Sequence, residues 1–417
     1  MKGKLVAIAL LTLSSLLFSG CYGSAETDEI AYILIIGVDK GENGKQKVTC
    51  QVAIPSGKTS TGSSNSEQDK NKFWFFNTIN TPSPAEENLL LTTTQSRRPN
   101  LTHVNVIIFS EEIAKQGLEP QLATLFRSRD YRDTIFLIVV PGTAEEYMKK
   151  NTPRFDTNIT RFYEVFLSKG SASGYFIPST IHDFYTALKN QGCSATATYS
   201  AINPMNLTDK PTGTKTPEQK GSPYLAGNIP RTGSSSTVDF LGLAVFHDDK
   251  MVGVLNSVET RAVAILQHKF DRSFVGIVDP LKPEKEVVNV NVRYESATIK
   301  AALSNGIPVF DIVVKLDCDI LGITSGINYE APEYRELLEA QIVNLFTNQI
   351  ITMIHHTQAL GTDPVGFGLY LRSKFSNSEE MAKANFNNLY QIANFNVTVE
   401  AKIRRTGLIW RTSPIKN

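Results

Sequence analysis

FDIVVKLDCDI at residues 310–320 and PEYRELLEAQIVNLFTNQIITMIHHTQAL at residues 332–360 decide the architecture of the second half of this chain. In the first stretch Phe310, Ile312, Val314, Leu316, Cys318 and Ile320 fall on every second position, the period of a strand with one buried face. In the second, Tyr334, Leu337, Leu338, Ile342, Leu345, Phe346, Ile350, Met353 and Ile354 keep helical spacing, and Gly361 stops the run. Val288, Val290, Val292 and Tyr294 alternate upstream. Phe395, Val397, Val399, Ala401 and Ile403 do so downstream. Alternation of this kind predicts a sheet with one wet face, and the long helix offers an apolar stripe to cover the other.

Reading outward, Leu241–Phe246 and Met251–Leu255 flank His247-Asp248-Asp249-Lys250 as a hairpin, and Asn256 with Glu259 caps a helix reaching Phe270. A shorter helix is expected to start near Ser378. Thr208–Thr237 is dense in Pro, Gly, Ser, Thr and Lys, which is linker chemistry. Before it, strands are expected at Ala31–Asp39, Lys47–Ile54, Phe73–Ile79, Val104–Phe109 and Thr134–Val140, the last a continuous apolar run covered on both faces. Helices are expected from Ser83-Pro84-Ala85-Glu86 onward, up to Gly117, over Gln121–Arg127, over Thr143–Lys150 and over Ile181–Asn190. Ser56–Lys72, rich in Ser, Gly, Asn and Lys, reads as a mobile loop. The expected fold class is α+β and multidomain, with mixed sheets, packed helices and a long amphipathic helix in the C-terminal domain. The division is 1–20 leader, 21–200 N-terminal α/β or α+β domain (mobile loop 56–72), 201–237 polar linker and 238–417 C-terminal α+β domain.

The amino terminus has the three-part layout of an export signal. Lys2 and Lys4 supply positive charge, Leu5–Phe18 is an apolar run broken only by Thr12, Ser14 and Ser15, and small residues Ser19 and Gly20 precede Cys21. The run of 14 residues is shorter than the roughly 20 needed to span a bilayer. Phe18-Ser19-Gly20-Cys21 resembles a bacterial lipobox, in which the thiol receives a diacylglyceryl group before cleavage. Cys21 is therefore the expected lipid attachment site and first mature residue, and two or more acyl chains anchor stably where one does not.

The 417 residues carry 42 Lys and Arg against 41 Asp and Glu. Loss of Lys2 and Lys4 with the leader turns a formal +1 into about −1. A near-neutral chain with no long basic run excludes nucleic acid as the main partner. Cys50, Cys193 and Cys318 are far apart and odd in number, so no disulfide framework or zinc pattern emerges. Cys50 and Cys318 alternate with apolar neighbours and read as small buried residues. The six histidines form no HExxH pair, and His355 and His356 point about 100° apart on a helix. GxSxG, GxxxxGK[ST] and GxGxxG are absent from the sequence. No catalytic, cofactor or metal site is expected, and the chain reads as a membrane-tethered, non-catalytic globular protein.

Two polar clusters stand out. Arg97-Arg98-Pro99 with His103, and Arg127-Ser128-Arg129-Asp130-Tyr131-Arg132-Asp133, pair internally or bind an anionic group on a partner, since Arg forks suit carboxylates. Asp363-Pro364 followed by Gly366-Phe367-Gly368 reads first as turn punctuation and second as a partner contact. The candidates for partner contact are Arg97, Arg98, Asp363, Gly366 and Phe367.

Taken in order, these landmarks resemble the Ger(x)C lipoproteins, the C subunits of spore germinant receptors. The matching residues are Cys21 with Asp28-Glu29-Ile30, Ile36-Gly37-Val38-Asp39-Lys40, Arg97-Arg98-Pro99 with His103, Glu111-Glu112-Ile113-Ala114 with Gly117, and Arg129-Asp130 with Arg132. The second half adds Gly242-Leu243-Ala244-Val245-Phe246, Asp249-Lys250-Met251-Val252-Gly253, Asp363-Pro364-Val365-Gly366-Phe367-Gly368 and the closing strand through Arg404. Departures lie at Tyr22-Gly23-Ser24, at Ala262 and in the long polar segment 208–237. The resemblance implies several α+β domains and an outward-facing, non-catalytic lipoprotein on the spore inner membrane. Its implied partners are integral-membrane A and B subunits, in a complex that senses small nutrients. It leaves open whether this subunit binds the nutrient itself. A solute-binding lipoprotein of a transporter, which wants two lobes around a hinge cleft, and a tethered hydrolase are the competing classes.

Overall fold

The computed structural model describes residues 3–4, 26, 29–54, 73–84, 86–155, 158–204, 223–231, 233, 236–283, 286–375, 380 and 386–413. Cys21, the loop expected at 56–72, most of the linker and the start of the helix expected near Ser378 lie outside them.

The first sheet is built from β1 (Ile30–Lys40), β2 (Gln46–Ala53), β3 (Trp74–Thr81), β4 (Arg98–Asn100), β5 (Val106–Ser110), β6 (Phe136–Val140), β7 (Thr196–Ile202), β8 (Val238–His247) and β9 (Lys250–Leu255). Their order is β3-β2-β1-β5-β6-β7-β8-β9, with β4 pairing beside the start of β1. The strands from β1 through β5 and β6 to β7 are parallel, and both ends of the sheet are antiparallel. β6 is covered on both faces, as its unbroken apolar run requires. Leu137 and Val139 join one core with helices α2 (Glu111–Gln116), α3 (Glu119–Arg127) and α6 (Ile181–Lys189). Ile138 and Val140 join another with α4 (Ala144–Lys150) and α5 (Ile159–Gly170). The helix expected from Ser83 begins later, as α1 (Glu87–Thr94) with no side-chain cap. The Thr81 hydroxyl donates to the Ser83 carbonyl at 2.6 Å and so folds that segment into the turn ending β3.

The second sheet runs β10 (Arg272–Val278), β11 (Val287–Ser304), β12 (Ile307–Ile323) and β13 (Asn394–Arg405) in sequence order. β11 and β12 form a long hairpin whose turn uses Asn305 at φ 51° and Gly306 at φ 81°. β12 and β13 are parallel, bridged by the long helix α8 (Pro332–Leu360), the crossover that a parallel pair needs. Phe310, Ile312, Val314, Leu316 and Cys318 are buried beneath α8, which turns in Leu338, Ile342, Phe346, Ile350, Met353 and Ile354. Tyr334 and Leu337 share the helical spacing but lie at its outer end, exposed. Gly361, in the left-handed region at φ 65°, stops α8.

Helix α7 (Ser257–Leu266) carries the expected capping box: Asn256 accepts from the Val258 and Glu259 amides, and Glu259 accepts in return from the Asn256 amide. Strands β8 and β9 depart from the division drawn at 201–237. β8 pairs with β7 and β9 with β8, so both complete the first sheet rather than starting the second. Leu243, Val245 and Leu255 of these strands pack into the same core as α7, α8 and the second sheet.

Candidate functional site

The segment after α8 ties the two sheets together. The Thr362 hydroxyl donates to the Phe246 carbonyl at 2.7 Å, and His247 Nδ1 lies 2.7 Å from the Gly361 carbonyl. The Ser194 amide donates to the Asp363 carbonyl at 2.8 Å, and the Asp363 amide donates to Ser194 Oγ at 2.9 Å. Gln267, just past α7, donates to the Pro364 carbonyl at 2.6 Å.

The Asp363 side chain folds back on its own loop. Oδ1 accepts from the Gly366 amide at 2.9 Å and Oδ2 from the Gly368 amide at 3.1 Å. It is 1 % exposed. Burial pushes its pKa up to about 7 against the downward pull of those backbone donors. The neighbouring Cys193 thiol is pushed up to about 11, by its own burial first and by Asp363 second. Phe367 opens the short helix α9 (Phe367–Leu371) and is fully buried, with ring centroids 5.1 Å from Phe310 and 4.9 Å from Phe395. Gly192 and Gly368 meet backbone to backbone. A Cβ on Gly192 would lie 2.8 Å from the carbonyl carbon of Gly368 and 2.8 Å from the Leu369 amide. The reading of Asp363, Gly366 and Phe367 as partner contacts is therefore corrected in favour of the turn: all three are buried, and a buried side chain presents nothing to a docking protein.

Arg97 and Arg98 lie elsewhere, at β4. Arg98 pairs with Ile30 in parallel register, and its amide donates to the Glu29 carbonyl at 2.9 Å. Arg98 and His103 are exposed and Arg97 half-buried, and His103 meets the Tyr32 ring edge-on at 4.9 Å. Among the described residues neither Arg97 nor Arg98 forms an ion pair, and the same holds for Arg127, Arg129 and Arg132. The basic groups at β4 lie beside the start of β1, where Arg98 pairs with Ile30.

Other landmark residues also hold backbone together. Asp39, 2 % exposed, accepts from the Ala144 amide at 2.6 Å and the Glu145 amide at 3.0 Å, fixing α4 on β1. Burial raises its pKa while those amides lower it. Gly37 makes room for α4, since a Cβ there would sit 2.6 Å from Met148 Sδ. Asp249 accepts from the Glu119 amide at 3.0 Å and so anchors α3 to the β8–β9 hairpin.

Arg261 lies in Glu259-Thr260-Arg261-Ala262, the stretch that departs from the family at Ala262, and the sequence reading gives it no role of its own. It is 3 % exposed on α7, between the Tyr175 ring at 5.8 Å and the Phe346 ring at 5.2 Å. The available signal is a charged residue directly before the wholly apolar run Ala262–Leu266 of a buried helix, a position that demands a partner.

Two family models cover this chain: "Spore germination protein N-terminal domain" over residues 23–201 and "Spore germination B3/ GerAC like, C-terminal" over residues 241–407. The chain belongs to the GerAC spore germination family. Among GerAC relatives, the putative spore germination protein YfkR of Bacillus subtilis (strain 168) is 22 % identical over 416 residues, 99 % of either chain. Spore germination protein KC of the same organism is 22 % identical over 432 residues, all of this chain and 99 % of that one. The crystal structure of the GerBC protein matches with a TM-score of 0.51 at 16 % identity, over 88 % of this chain and 96 % of that one. The α+β fold of several packed layers is thus shared with GerBC. Membership in the GerAC family gives the chain a role in spore germination. Its two models meet across 202–240, the interval of the polar linker, although the first sheet itself continues through to β9.

Proposed function

We propose that this chain is the membrane-anchored, non-catalytic C subunit of a nutrient germinant receptor, held on the spore inner membrane by lipid on Cys21 and facing away from the cytoplasm. The observation that carries the reading is the match to the two spore germination models over 23–201 and 241–407, directly after an apolar run followed by Phe18-Ser19-Gly20-Cys21. Integral-membrane A and B subunits are its partners. Acylation confines the chain to the bilayer, so docking to those subunits becomes effectively intramolecular, at an effective concentration far above that of a free protein. Arg97 and Arg98, close in the chain fold to the tether, suit an anionic headgroup or an acidic face of a partner. Among the described residues no helix is long and apolar enough to cross a membrane, and the proposal assigns attachment to the lipid.

Deleting the gene tests the role. Spores of the deletion strain are expected to lose their response to at least one nutrient while vegetative growth is unchanged. A normal response to every nutrient, in a strain lacking paralogues as well, overturns it. Crosslinking and co-purification from spore inner membranes are expected to recover two multi-span proteins.

A further inference from the structure

A cavity of about 460 Å³ opens between α7, α8 and β10, with Arg261 in its wall. Its volume is within the range of small-molecule sites. Cavities of 220 Å³ beside Cys193 and 520 Å³ beside Tyr131 also occur, but neither is lined by a buried cation. Arg261 donates from one terminal nitrogen to Gln349 Oε1 at 2.8 Å and from the other to Ser273 Oγ at 3.4 Å, a long bond. Its Nε has no hydrogen-bond partner among the described residues, and Tyr175 is the side chain that most supports its charge. Among the described residues no carboxylate pairs with it. Glu259 reaches the same cavity, but its Oε1 is 2.8 Å from His356 Nδ1 and its Oε2 accepts from the Asn256 amide at 3.0 Å, so both oxygens are engaged.

A buried guanidinium with no carboxylate paired to it is costly unless an anion joins it. The fork of an Arg is matched in shape by a planar carboxylate. The wall also includes Gln341, Asn344 and Asn348 on α8, which offer neutral hydrogen bonds, and the surface of β10 from Phe274 to Val278. We propose that this cavity binds a small, carboxylate-bearing solute, with Arg261 as its counter-charge and the aromatic rings of Tyr175 and Phe346 holding the guanidinium in place. A free solute fits better than an acidic side chain of another protein, because the cation is 3 % exposed and lies within a cavity too small for a folded segment. The inference does not depend on the receptor role.

The purified full chain is titrated by calorimetry with propionate, hexanoate and phenylacetate, each beside its carboxamide. At least one acid is expected to bind saturably and about tenfold or more tightly than its amide, the worth of one charge-assisted contact. Arg261→Met is expected to abolish that preference. Because Arg261→Met alters a buried site, Asn348→Trp provides a second arm. It fills the cavity from the exposed side of α8 and is expected to block the acid while leaving the unfolding temperature unchanged. Exposed Lys300→Ala is expected to bind as the parent does. The proposal is overturned if no acid binds better than its amide, or if the preference survives both Arg261→Met and Asn348→Trp.

Discussion

Replacing Asp363 by asparagine is expected to change how stability depends on pH. In the folded chain the carboxyl ionises at about 7, against 3.8 for the ordinary group, because burial penalises the charged form. Between these values the folded state keeps a proton that the unfolded state has released, so stability falls as pH rises through the window. At about 1.36 kcal/mol per pH unit, the loss between about pH 4 and pH 8 is about 4 kcal/mol. An asparagine at this position cannot ionise and has no such loss. It also keeps only one acceptor oxygen for the Gly366 and Gly368 amides, and leaving one buried donor unmet costs about 1–3 kcal/mol. Urea unfolding of both proteins is therefore expected to show Asp363→Asn the less stable at about pH 4.5 and the more stable at about pH 8. Glu87, raised by burial to about 7, is present in both and cancels in the difference. A gap of the same size and sign at both pH values would refute the reasoning. It would mean that the backbone donors outweigh burial and keep the carboxyl in its usual range.

Gly192→Ala forces a methyl against the backbone of Gly368 and is expected to cost about 1–3 kcal/mol, read as a lower urea midpoint with an unchanged slope. Phe367→Ala empties the ring site among Phe310, Tyr390 and Phe395 and is expected to cost about 3–5 kcal/mol by the same measurement. Cys21→Ala is expected to move the chain from the membrane to the soluble fraction of spore lysates and to weaken germination, while the melting temperature of the folded body stays the same. Scanning calorimetry of the wild-type chain is expected to give one cooperative transition, and two well-separated transitions would contradict the shared core described above.

The second sheet was legible because each of its long strands alternates over many residues and α8 keeps one stripe along most of its length. The caps of α7 and α8 were legible for the same local reason: Asn256, Glu259 and Gly361 act on their immediate neighbours. Less was legible at α5. Ile159-Thr-Arg-Phe-Tyr-Glu-Val-Phe166 mixes β-branched and aromatic residues whose pattern suits a strand as well as a helix. β4 has three residues and exists only because β1 offers it an edge. At the candidate site, Asp363-Pro364 announced a turn, but its burial comes from Ser194 and Phe246, 169 and 116 residues away from the atoms they bond. Arg261 shows the same limit, since its meaning lies in what α8 and β10 do not place beside it.

The polar segment at 201–237 looks like a hinge by composition, yet the strands on either side of it are neighbours in one sheet. β7 ends at Ile202, β8 begins at Val238, and these two residues pair directly. Segment length therefore does not report mobility between the units, because the sheet closes the loop. Ile177 and Leu243, Val245 and Leu255 of the first sheet's side are buried against α7 and the second sheet. Exposing four such side chains at about 1.5–3 kcal/mol each costs about 6–12 kcal/mol, comparable to the whole stability of a typical domain. Separation of the units would also break the hydrogen bonds from Thr362 to Phe246 and from Asp363 to Ser194 at the other edge of the joint. A solute-binding lipoprotein that closes two lobes about a linker has no hinge to use at this place. Nine of the ten residues of α7 are buried, so it joins the two sides as a packed element rather than as a flexible link.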